Sequence, residues 1–168
     1  MLEALVLLLA QTCVAEIGLQ PDPAECVVMW EVNARTAGRR KISIQKQTRA
    51  FNSYWKIEHK ARAWVEQLTL VGDEPALWPS DAGWERLAPR WLAVVARARR
   101  FVDEYPRGAH KAVCAGADTY GGTPGDGVGA DDAAPCGGRA LRITCLPGEL
   151  QAYWHTGGCR SHVRPVYQ

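Results

Sequence analysis

No two of the six cysteines fall in a C-x-x-C spacing, so the chain lacks the usual ligand pattern of a structural zinc site. An excess of one charge is missing as well. Twenty Lys and Arg stand against 18 Asp and Glu, and the formal net charge of +2 argues for neither a nucleic acid nor a membrane surface as partner. The apolar run at residues 1–10 is too short to cross a bilayer. It also has no basic leading segment and carries Glu3 instead, so it reads as the first core helix and not as a secretory signal. On that reading export takes a route other than a cleaved leader. Four aspartates of the C-terminal third, Asp118, Asp126, Asp131 and Asp132, are hard oxygen donors suited to calcium, but their spacing matches no EF-hand loop. No metal and no cofactor is expected.

Phenylalanine is scarce, at two residues, whereas tryptophan is abundant, at seven. Indoles pack well in cores and against the flat faces of sugar rings. A length of 168 residues suits one well-buried core. The expected fold is mainly α with some β (α+β): a helical core over residues 1–112, and a Gly/Asp-rich, Cys-containing loop and C-terminal segment over 113–168 packed on the same domain. Cys13 and Cys26 lie in apolar helical patterns and read as small buried hydrophobes. Cys114, Cys136, Cys145 and Cys159 lie in the Gly-rich third and can cross-link loops in an oxidising compartment.

The helices are delimited by local signals. Asp22 is placed to cap a second helix, Pro23 suits its first position, and Glu25 has capping-box spacing. Cys26, Trp30, Asn33 and Ala37 form its inner stripe, and Gly38 is the expected C-cap. Residues 42–55 mix a short alternating stretch with polar and aromatic side chains and read as cleft lining. Ala61, Trp64, Val65 and Leu68 predict a third helix. Trp84, Leu87, Trp91, Val94, Val95, Ala98 and Phe101 predict a fourth, with a break or fresh start at Pro89 and a basic face of Arg90, Arg97 and Arg100. Residues 141–145 alternate like a short strand.

Glu16 is the candidate for chemistry. It closes an otherwise apolar first helix, and Thr12, Leu9, Leu5 and Leu2 precede it at helical spacing, so it continues the stripe expected to face the core. A carboxyl group partly withdrawn from water resists ionising, and with its pKa raised toward neutrality it can serve as a general acid.

Four blocks follow in order: Ala15-Glu16 with the helix after it; residues 47–56, from Gln47 to Lys56; Trp64 through Trp78-Pro79 and Trp84 to Trp91; and Cys114-Ala115-Gly116-Ala117-Asp118-Thr119-Tyr120-Gly121-Gly122 with Cys145 and Tyr153-Trp154 beyond. This order resembles SleB-like cell wall hydrolases of bacteria and phages, which are similar to lytic transglycosylases and share a lysozyme-like fold. Thr119 stands where that pattern has a His. The resemblance implies a peptidoglycan-cleaving enzyme acting on the MurNAc–GlcNAc bond, with Glu16 as catalytic acid and Gln47, Asn52, Tyr54 and Tyr120 along the sugar cleft. It implies action in the periplasm or cell wall, glycan strands as partner, and no nucleic acid or stable membrane insertion. No sequence feature singles out the second carboxylate of an ordinary glycoside hydrolase, so Glu16 is expected to act as acid and then as base. The alternative is a non-catalytic virion or interaction protein on the same scaffold. A helical nucleic-acid binder using Arg35, Arg39, Arg40 and Lys41 is a third class, without a recognition motif.

Overall fold

The computed structural model describes residues 2–50, 70–71, 74–75, 84–108, 114, 116–122 and 135–159. In chain order these form α1 (Leu2–Ile17), α2 (Ala24–Arg40), α3 (Ile44–Ala50), a minimal hairpin of β1 (Leu70–Val71) and β2 (Glu74–Pro75), α4 (Trp84–Glu104), and three further strands. The strands are β3 (Thr119–Gly122), β4 (Leu141–Ile143) and β5 (Gln151–His155), antiparallel in the order β3-β5-β4. The protein is thus mainly helical with a small sheet near its C-terminus, an α+β fold. The third helix expected from Ala61 to Leu68 lies outside the described residues.

α1 is apolar on nearly every face, and such a helix has to be enclosed. Leu5, Val6, Leu9, Ala10, Cys13, Val14 and Ile17 are all buried, against α4, α2 and α3. α2 presents Val28, Met29, Trp30 and Val32 to the same core, and the Trp30 indole donates to the Leu9 carbonyl at 2.9 Å. α4 contributes Trp91, Val94, Val95, Ala98 and Phe101. The core continues into the sheet through Cys114, Ala117, Tyr120 and Tyr153. No described helix is long and apolar enough to cross a membrane.

Several local expectations give way to packing. α2 begins at Ala24, and Asp22 Oδ1 accepts the Ala24 N–H at 2.9 Å, so Asp22 caps from one residue further out while Glu25 is used elsewhere. α2 also runs past Gly38 to Arg40 and ends at Lys41, whose φ is +54°. Glycine permits a left-handed cap without imposing one, and the two arginines of the last turn favour its continuation by opposing the helix dipole. Residues 44–50 are helical, not an alternating segment: Ile44, Gln47 and Thr48 share a buried helical face, and Ser43 Oγ accepts the Lys46 N–H at 3.1 Å. α4 passes through Pro89 without a break. Pro89 lies in the second turn, where the bond it forgoes is close to the helix start and burial of the Trp91-to-Phe101 stripe outweighs it. The expected strand at 141–145 is present over Leu141–Ile143.

Cys13 and Cys26 are not free buried thiols but a disulfide, with Cα atoms 5.4 Å apart. The stripes that bury each of them bring the two antiparallel helices together at that level. Cys114–Cys145 and Cys136–Cys159 cross-link the C-terminal third, so all six cysteines are paired. Such pairing belongs to a chain that folds in an oxidising, extracytoplasmic compartment.

Candidate functional site

The last turn of α1 is held at several points. Gly18 adopts a left-handed φ of +72° and its N–H returns to the Val14 carbonyl at 2.8 Å, which ends the helix at Ile17, one residue beyond Glu16. The Gln20 side chain donates to the Ile17 carbonyl, and Gln151 Nε2, from the start of β5, donates to the Glu16 carbonyl at 3.3 Å. The Cys13–Cys26 bridge fastens the preceding turn to α2. Glu16 itself is half-buried, whereas Cys13, Val14 and Ile17 around it are buried. Its stripe meets the core up to Thr12, which is 1% exposed, and is only partly covered at the final turn.

A second carboxylate stands at the same end of the molecule. Glu25, 8% exposed in the first turn of α2, accepts the N–H groups of Leu150 at 2.7 Å and Gln151 at 2.9 Å and the Tyr153 hydroxyl at 3.0 Å. Burial, and then the charge of Glu25, push the Tyr153 phenol well above the usual tyrosine range, which keeps it protonated as a donor. With three donors on its oxygens, Glu25 is built to hold β5 and not to attack a substrate. Capping-box spacing concealed this role. The signal available was its place immediately before Cys26 on the inward stripe.

No protein-family model, curated protein or solved structure matches the chain.

Gln47 and Tyr120, expected along the sugar cleft, are both buried side chains. Gln47 is buried on α3 and accepts from Arg40 Nη1 at 2.9 Å. Tyr120 is buried on β3, opposite Tyr153 in register, with ring centroids 6.2 Å apart. Asn52 and Tyr54 lie outside the described residues. Asp118 is not a metal ligand in waiting: its carboxylate accepts from Arg39 Nη1 at 2.7 Å, Thr156 N at 3.0 Å, Thr156 Oγ1 at 2.9 Å and Thr119 Oγ1 at 3.2 Å. Asp126, Asp131 and Asp132 lie outside the described residues, and no group of three His, Cys, Asp or Glu is placed to hold a metal among those that are described.

The basic run on α2 is engaged in bonds to the rest of the chain, although Arg39, Arg40 and Lys41 are exposed. Arg35 pairs with buried Glu31 at 2.8 Å and donates to the carbonyls of Cys114 and Ala117; Arg39 and Arg40 are engaged with Asp118 and Gln47. On α4, Arg90 donates to the Leu19 carbonyl at 3.1 Å, and Arg100 pairs with Glu104 at 2.9 Å. A groove of about 560 Å³ lies between α2 and the end of α4, lined by Glu31, Ala34, Arg35, Gly38, Phe101 and Tyr105 among others. Glu31 is six residues beyond Glu25 on α2, about 9 Å of helix rise. The groove and the Glu16 end are therefore separate places on the surface.

Proposed function

We propose that this protein is a muralytic enzyme that cleaves the MurNAc–GlcNAc glycosidic bond of peptidoglycan, with Glu16 as the single acid and then base. The observation that carries the reading is the setting of Glu16: a half-buried carboxylate at a helix end pinned by a left-handed glycine, a buried glutamine and a neighbouring disulfide. General acid catalysis requires an acid fixed relative to its substrate and partly shielded from water.

In the proposed reaction the Glu16 carboxyl gives its proton to the glycosidic oxygen, and the bond from that oxygen to the muramyl anomeric carbon breaks. The substrate's acetamido oxygen stabilises the resulting oxocarbenium-like centre. The muramyl 6-hydroxyl then attacks that carbon, and its proton returns to Glu16, leaving a 1,6-anhydro product. No second protein carboxylate is needed, in keeping with Glu25 being saturated by three donors. The site of action would be the periplasm or cell wall, with glycan strands as partner and the protein either virion-borne or released through a holin.

Purified protein should clear isolated sacculi, and Glu16→Gln should not. Mass spectrometry of the products should show anhydro-muropeptides; reducing ends instead would reassign the reaction to hydrolysis, and intact sacculi at high protein concentration would end the enzymatic reading. One observation favours a second reading, a non-catalytic virion or interaction protein. A groove beside Phe101 and Tyr105, away from the Glu16 end, offers a surface for a partner. On that reading the protein leaves sacculi intact and is recovered with the particle.

A further inference from the structure

Gln151 is an expensive residue for its position. It is 1% exposed at the start of the central strand β5, and its amide makes one hydrogen bond, the 3.3 Å contact to the Glu16 carbonyl. Its Oε1 is buried with no hydrogen-bond partner among the described residues. A buried primary amide with one long bond and an unsatisfied oxygen costs more than a methionine or leucine of similar size would. Strand stability alone therefore does not account for a glutamine here.

What the amide touches gives a reason for it. The Glu16 carbonyl is among the last four of α1, which have no partner within the helix. Gln151 is in turn anchored from α2, because Glu25 accepts its main-chain N–H, that of Leu150, and the Tyr153 hydroxyl. The Cys13–Cys26 bridge joins the same two helices one turn away. A connected line of bonds thus runs from Tyr153 to Glu25, to the backbone of Gln151, and through its amide to the residue proposed as the acid.

We infer that Gln151 is a positioning residue for Glu16, seated by Glu25 and Tyr153, which fixes the end of α1 so that the carboxyl group is held in line with the scissile oxygen. This rests on the muralytic reading of Glu16. Gln151 makes no substrate contact in this arrangement, so its loss is felt in turnover and not in binding. A misplacement of about 1 Å is worth up to roughly 100-fold in rate.

The test compares wild type, Gln151→Met and Tyr153→Phe on soluble glycan strands, with kcat, KM and melting temperature measured for each. The expected result for Gln151→Met is a kcat lowered roughly 10- to 100-fold with KM within about twofold and the melting temperature unchanged or raised. Tyr153→Phe, which removes one donor from Glu25, should lower kcat by roughly threefold to tenfold, again at constant KM. An unchanged kcat in Gln151→Met, or a loss carried in KM, overturns the inference and leaves Glu16 catalysis intact. If Gln151→Met does not fold, Tyr153→Phe decides by the same criterion. If the wild type itself does not cleave the strands, the muralytic reading fails and this inference falls with it.

Discussion

The phenol of Tyr153 donates a hydrogen bond to the carboxylate of Glu25 at 3.0 Å, across 128 residues of sequence. That contact, with the two N–H groups that Glu25 also accepts, is how the sheet is fastened to the helical layer at the end where Glu16 lies.

Removing the carboxylate should therefore be costly. Glu25→Ala leaves three buried or half-buried donors to find new partners, and should lower unfolding free energy by roughly 2–4 kcal/mol. Glu25→Gln should also destabilise, because its NH₂ group faces donors. Urea denaturation of the oxidised protein measures both, and a change within experimental error would show that water replaces Glu25 freely.

Alkaline stability follows from Tyr153. Its folded pKa is raised by burial and by Glu25, so the folded state keeps the proton that the unfolded chain releases near pH 10. The unfolded state then binds fewer protons, and stability falls as pH rises above about 10. Melting temperature should drop over that range in the wild type and less steeply in Tyr153→Phe. Parallel curves would place the alkaline sensitivity elsewhere.

The three disulfides should differ in accessibility. Cys13 and Cys26 are fully enclosed, whereas Cys136 and Cys159 are half-buried. Under a mild reductant, alkylation and mass spectrometry should show Cys136–Cys159 opening before Cys13–Cys26. Loss of the Cys13–Cys26 bridge, whose partners are 13 residues apart, should cost about 3 kcal/mol by loop-closure entropy.

Gly38 offers a gain. It lies within α2, and a β-carbon built there meets nothing within 4 Å. Gly38→Ala should raise stability by about 0.5–1 kcal/mol, read as a higher urea midpoint at constant slope. A lower midpoint would mean that the groove beside it is filled in solution.

Much of the helical layer was legible because the information is local. Apolar residues recurring through α1, the Asp22-Pro23 start of α2 and the Trp91-to-Phe101 stripe of α4 each state a helix within one short window. Glu16 stood out for the same reason, as a carboxylate closing an apolar helix. Local signals were overridden where a stronger competitor was present. Glu25 has capping-box spacing yet reaches β5, and Pro89 is a helix breaker outweighed by the buried face it accompanies.

By itself, then, the sequence determined that α1, α2 and α4 are helical, that they enclose an apolar core, and that a carboxylate sits at the end of the first helix. Only the tertiary structure decided that Cys13 pairs with Cys26, that Glu25 holds β5, and that Gln151 reaches Glu16. The physical reason is separation along the chain. Hydrophobic periodicity is written within a few helical turns, whereas the Gln151–Glu16 bond joins residues 135 positions apart. That bond exists only once α1, α2 and β5 have packed together.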